Sequence, residues 1–223
     1  MGVIGPTPYP RIPYLTVHAS LSGDDLVLDA AARQQWLGER VLVEEKLDGA
    51  NVCLWLGADG SVQSAGRSGA GGRDRAQQFG RLRAWVAERS ELLRPLLRQG
   101  RIVYGEWLYL RHTIAYNRLP DYFVGLDVRQ SNGDFLSSRE RDAELGSAGL
   151  VAPPPLFAGR LETLDRLLNL LSGSAFGADP PEGAVLRSLE GRRSLVKFVH
   201  PDFRRLSDDD WRRGRPENGL RPR

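Results

Sequence analysis

Lys46 closes an apolar run, Val41-Leu42-Val43, with Glu44 and Glu45 before it and Leu47-Asp48-Gly49-Ala50-Asn51 after it. A lysine held at a strand end, partly out of water, has a poorly solvated charge. Its proton affinity falls, which makes the amine a candidate nucleophile. Gly49 lets a bulky substrate approach the backbone closely. A lone Lys-x-Asp-Gly is a short pattern that any hairpin can carry. Its weight comes from four later segments: Tyr104-Gly105-Glu106-Trp107, Phe123-Val124-Gly125-Leu126-Asp127, Glu182-Gly183-Ala184-Val185-Leu186-Arg187 and Leu195-Val196-Lys197-Phe198.

These residues need elements to position them. Asp29 to Leu37 has helical character, stopped by Gly38. Arg40 to Glu45 reads as a strand, and Asn51 to Leu56 as a second, joined through Ala58-Asp59-Gly60 to a third at Ser61 to Ala65. Lys46 to Ala50 is then a short connection opening onto a cleft. Ser68 to Gly72 is a glycine-rich loop. Phe79, Leu82, Val86, Leu93 and Leu97 follow at helical spacing, with Pro95 disturbing or splitting the last part. Arg101 to Leu108 and Tyr122 to Val128 are further strands. Ser137 and Glu140 form a capping box. Pro153-Pro154-Pro155 ends that region, Glu162 to Leu171 is a short helix, and Gly183 to Ser188 pairs with Ser194 to Val199 around Glu190-Gly191. Strands and helices mix without strict alternation, which points to an α+β fold.

Composition bounds the reading. With 223 residues and 41% hydrophobic content, the chain can bury the core of one large domain, or one domain with a small appendage. No apolar run approaches a membrane span, and the first ten residues lack a secretory pattern, so a cytoplasmic location is expected. Cys53 is the single cysteine, which excludes an internal disulfide and a cysteine-built zinc site. It reads as a small buried apolar residue between Val52 and Leu54. Net charge is +3, mostly from arginine. That fits a polyanion-binding protein or an arginine-rich solvated surface equally well. Arg73, Arg75, Arg81 and Arg83 lie near the glycine-rich loop, and Arg204, Arg205, Arg212, Arg213 and Arg215 near the end. Asp208-Asp209-Asp210 interrupts the latter group. His18 and His112 have no companions at metal-ligand spacing and read as structural or surface residues.

The five segments, in this order from about Val41 to Phe203, resemble the covalent nucleotidyltransferases, and among them the ATP-dependent RNA ligase family. Asn51 is similar to the RNA ligase pattern, where DNA ligases usually place an arginine. Only about twenty residues follow Phe203, so no separate oligonucleotide-binding barrel is expected. The resemblance implies an adenylation domain over 1–203, with ATP-grasp-like ligase architecture, twisted antiparallel sheets and flanking helices, and a basic tail over 204–223.

It also implies roles. Lys46 would attack the α-phosphate of ATP and carry the adenylate. Glu45, Asp48, Gly49, Asn51 and Glu106 would belong to the nucleotide site, with Asp48 and Glu106 accepting hydrogen bonds from ribose hydroxyls. Phe123 would stack on adenine. Arg67 would contact the nucleotide or the substrate 5′-phosphate, and Arg187 a phosphate or the nucleic acid. Glu182 would help hold Mg²⁺ (or Mn²⁺), and Lys197 would contact the α-phosphate. Related ligases often carry Lys-x-Lys in the last segment; here Val199 replaces the second lysine, and His200 or Arg187 is a candidate substitute. The implied reaction joins RNA 3′-hydroxyl and 5′-phosphate ends, with an end-healing repair enzyme as a candidate partner. DNA nick sealing, DNA-end adenylation and non-catalytic end binding are the competing readings.

Overall fold

A computed structural model of the chain describes residues 7–19, 21, 23–66, 73–190, 194–206 and 214–222. Arg67, the loop Ser68 to Gly72, Gly191, Asp208 to Asp210, Arg212 and Arg213 lie outside the described residues.

Period-two burial builds the first sheet. In β1 (Arg40–Lys46), Val41 and Val43 face one side, where they join a core, while Glu44 and Lys46 face the other. β1 pairs antiparallel with β7 (Gly183–Ser188) and with the edge strand β6 (Pro155–Arg160); β8 (Leu195–Val199) completes the order β6-β1-β7-β8. The outer face of this sheet packs on α1 (Ala30–Gly38) and α4 (Leu164–Asn169) through Trp36, Leu37, Leu167, Leu186 and Phe198.

The second sheet has the order β3-β2-β4-β5, from β2 (Ala50–Leu56), β3 (Val62–Gly66), β4 (Ile102–Trp107) and β5 (Phe123–Arg129). Its outer face is covered by α2 (Arg73–Leu97), with α3 (Ser138–Ser147) beside it. Leu82, Trp85, Leu93 and Leu97 pack there on Val52, Leu54, Trp107 and Phe123. The antiparallel sheets with helices on their faces match the expected α+β class. The capping box at Ser137 and Glu140 is present, and Cys53 is buried.

Two expectations need correction. Pro95 does not split α2. It lies in the last turn on the exposed side, where the carbonyl that loses its donor can bind water, while Leu93, Leu96 and Leu97 are buried and hold the turn. The region after the triple proline is a strand, with Pro155 first in it at a sheet edge, where its missing N–H costs no ladder bond. Residues 214–222 dock on the connection between β4 and β5, through a bridge of Glu217 to Leu110 and one of Leu220 to Leu119. Buried Asn218 accepts from the Tyr116 N–H (3.0 Å) and donates to the Leu108 carbonyl (2.9 Å). A buried loop needs partners for its backbone polar groups, and this segment supplies them.

Candidate active site

The inner faces of the two sheets enclose a cavity of about 230 Å³. Strand β1 contributes Glu44 and Lys46, β7 and its lead-in contribute Arg187, Val185 and Glu182, and β8 contributes Lys197. Asn51 and Glu106 sit directly opposite each other on β2 and β4 and enter from the second sheet, as does Leu126 from β5. Tyr9, Ile12 and Tyr14 of the irregular N-terminal segment form one wall.

Lys46 Nζ donates to Glu182 Oε2 at 2.5 Å. Burial opposes the ammonium charge, but Glu182, Glu106 and Asp48 outweigh it and raise the lysine above its ordinary value. The expectation of lowered proton affinity is therefore wrong for this state: desolvation acts as anticipated, and three carboxylates overcome it. Burial also pushes Glu182 up, with Lys46 opposing, and pushes Glu106 up to about 7 against the pull of Lys46. One cation thus faces more negative charge than it can neutralise.

Lys197 Nζ lies 3.8 Å from the centre of the Tyr14 ring and 3.7 Å from Asp25. No feature of the sequence marked Tyr14 as its support. The N-terminal segment is held beside β8 by the Lys197 N–H to the Pro13 carbonyl (2.9 Å) and the Leu15 N–H to the Lys197 carbonyl (2.8 Å).

A family model for RNA ligase matches residues 39–199. The chain belongs to the RNA ligase family. Its fold is similar to that of an archaeal ATP-dependent RNA ligase (form 2), with TM-score 0.60 and 20% identity over 86% of this chain and 48% of that one. A Naegleria gruberi RNA ligase with PPi gives TM-score 0.52 and 19% identity over 74% of this chain and 51% of that one. A mutant of the Naegleria gruberi enzyme with ATP and Mn gives 0.52 and 16%, over 86% and 59%. The chain spans about half the length of the solved structures it matches first. No curated protein matches it.

Several residues that the RNA ligase family resemblance assigned to ligand are occupied otherwise. Phe123 does not reach the cavity. Its ring is wholly buried, stacked on Trp85 at 5.1 Å, and a side chain at Gly105 would collide with it. Leu126, three residues on, is the β5 side chain that lines the cavity.

Arg187 lines the cavity floor, but its guanidinium is spent on Glu44 (2.5 Å), Asp127 (2.8 Å) and the Leu126 carbonyl (2.8 Å). Arg141 from α3 also holds Glu44, and the Tyr9 hydroxyl holds Asp127. Each of its three nitrogens donates to a protein oxygen, so Arg187 braces one sheet against the other. His200 does not stand in for the missing lysine: its Nδ1 accepts from the Asp202 N–H, outside the cavity lining.

The Glu45 carboxylate lies on the opposite strand face from Lys46 and accepts from Ser174 Oγ (2.6 Å) and the Ala175 N–H. Asp48 Oδ2 accepts from the Thr113 and Ile114 N–H groups (2.6 and 3.1 Å), and the Asp48 N–H donates to the Tyr116 hydroxyl. Both acids fix the loops around Lys46. At Gly49 a Cβ would meet the Trp107 carbonyl and Leu108 at 2.7 Å, so the close approach there is made by β4 and its exit. The Gly49 N–H donates to Glu106 Oε1 at 3.1 Å. His112, expected to be structural or on the surface, is half-buried; burial lowers its pKa, with Asp48 on one side and Arg215, Arg205 and Lys46 on the other.

Proposed function

We propose that the chain is an ATP-dependent RNA ligase in which Lys46 carries the adenylate. The observation that carries this reading is the convergence of Lys46, Glu182, Glu106 and Lys197 on one cavity between two sheets, in a chain of the RNA ligase family.

Lys46 must give up a proton before it attacks. Glu182 Oε2 is 2.5 Å away, and burial raises its proton affinity, so it can take that proton. The Nζ–phosphorus bond then forms at the α-phosphate as the phosphorus–oxygen bond to pyrophosphate breaks. Lys197, propped on the Tyr14 ring, neutralises charge at the α-phosphate. A 5′-phosphate next takes AMP from Lys46, and a 3′-hydroxyl displaces the AMP to seal the strand. Asn51 and Glu106, side by side across β2 and β4, are the ribose or base contacts that remain once Asp48 and Glu45 are assigned to loops. An end-healing enzyme would supply ends of the required chemistry.

The cavity also fits a hard divalent cation, Mg²⁺ or Mn²⁺. Glu182 and Glu106 provide carboxylate oxygens, and the lining holds no thiolate or imidazole. Among the described residues no three His, Cys, Asp or Glu side chains gather as a cage, so Glu182 would hold the ion together with water and phosphate oxygens. Its contribution is charge neutralisation at the transferring phosphate.

The test is incubation with α-labelled ATP and a divalent cation, then a denaturing gel, beside Lys46→Ala. Label that survives denaturation and is lost in the variant supports the reading. No label, together with no AMP adduct by intact mass and none released by pyrophosphate, would leave end binding without catalysis. Nicks with RNA or DNA 3′-hydroxyl strands then separate RNA ligation from DNA sealing.

A further inference from the structure

Arg205 lies outside the segment matched to the family, in the stretch read from sequence as a basic tail. It nonetheless lines the cavity with Lys46, Glu182 and Lys197. Its position is fixed on both sides. Before it, Phe203 packs into the cluster of Leu47 and Leu108, and its N–H donates to the His200 carbonyl (2.9 Å). After it, the Leu206 N–H donates to Thr113 Oγ1 at 3.1 Å. Thr113 is the residue whose own N–H holds Asp48, so the arm that carries Arg205 and the loop that carries Lys46 share an anchor.

The other cations of the lining have partners already: Arg187 is on Glu44 and Asp127, Lys46 is on Glu182, and Lys197 lies over Tyr14 near Asp25. Arg205 is exposed and makes no hydrogen bond or ion pair with another described residue. Its charge reaches Glu182 and His112, which places it on the Lys46 side of the cavity.

We propose that Arg205 binds the two outer phosphates of the nucleoside triphosphate and holds the pyrophosphate as it leaves. This rests on the ligase reading above and assigns to Arg205 the cationic role that Val199 cannot fill. Pyrophosphate must depart toward solvent, and Arg205 is an exposed cation of the lining where Lys46 and Lys197 are half-buried. A guanidinium fork suits two adjacent phosphate oxygens better than a point charge does.

The experiment compares the full chain with Arg205→Ala and Arg205→Lys in three assays: ATP dependence of adenylate formation, pyrophosphate dependence of its reversal, and AMP transfer from isolated adenylate to a 5′-phosphorylated strand. Arg205→Ala should raise the half-saturating ATP and pyrophosphate concentrations about 10- to 100-fold, as expected for loss of a charged hydrogen-bonding pair. Arg205→Lys should recover part of that, and transfer to the strand should stay within about two-fold. The side chain is exposed, so the thermal midpoint should not move. Unchanged pyrophosphate dependence overturns the proposal. So does a defect confined to strand transfer, which would place Arg205 on the nucleic acid. If the wild-type chain forms no adenylate, the ligase reading fails by itself. Calorimetric titration with inorganic pyrophosphate, which needs no turnover, then decides Arg205: weaker binding by Arg205→Ala supports the phosphate site, and equal binding overturns it.

Discussion

Two charged groups occupy the same pair of strands and have opposite uses. At one, Glu44 of β1 and Arg187 of β7 join Asp127 and Arg141 in a sealed set, in which each acid bonds an arginine and the arginines are filled by acids and carbonyls. At the other, Lys46 lies two residues beyond Glu44 and Glu182 five before Arg187, beside Glu106, Lys197 and Arg205 in the cavity lining. The first set joins the two sheets through bonds made inside the protein. The second gathers its acids and cations around the cavity, where Lys46 bonds Glu182. Residue type alone does not separate a binding arginine from a bracing one; the count of committed donors does.

The sharpest way to break this comparison is to remove one cation from each set. Lys46→Ala should abolish the adenylate and leave a folded protein. Arg187→Ala should strand Glu44 and Asp127 in the interior and destabilise the fold by about 3–5 kcal/mol. Denaturant unfolding of the two variants measures the contrast, and equal losses of stability would show that the groups do not differ as described.

Removing Lys197 sharpens the reactive side. Lys197→Ala should slow adenylate formation about 100-fold, the size typical of losing one preorganised charge stabiliser. Single-turnover labelling measures it, and a rate within a few-fold of wild type would take Lys197 off the reacting phosphate.

The smallest effect is a pH dependence. In the folded state Glu106 is raised to about 7 from an ordinary 4.5. The folded protein therefore keeps a proton that the unfolded chain releases between those values, and stability from this group falls as pH rises from about 4.5 to about 7. Above that range it adds no further slope. Thermal midpoints of the nucleotide-free protein should decline across this window, and Glu106→Gln should flatten part of the decline. Burial raises Glu182 and Glu45 as well, so a residual slope of the same sign should survive.

Much of the fold was legible because it is local. Short apolar runs wrote β1 and β7, Ser137 and Glu140 wrote the start of α3, and apolar residues at helical spacing wrote α2. Strand β6 was hidden behind its prolines, since an edge position that tolerates Pro155 exists only once the sheet is assembled. Lys46, Glu106, Glu182 and Lys197 stood out through the order of five short segments, and they meet at the cavity. Phe123 and Leu126 were not separable in the sequence, because both lie in the same apolar strand and only packing against Trp85 decides which one leaves the cavity to the other.

The sequence by itself determined every strand but β6, most of the helices and the small set of side chains that meet at the cavity. These depend on neighbours within a few residues and on a pattern that survives as text. Tertiary structure alone decided that Arg187 braces, that Asp48 and Glu45 anchor loops, that carboxylates around Lys46 raise its proton affinity, and that Arg205 reaches the site. Each of those outcomes depends on partners tens of residues or more away in the chain, because hydrogen bonds, charge and burial act through space.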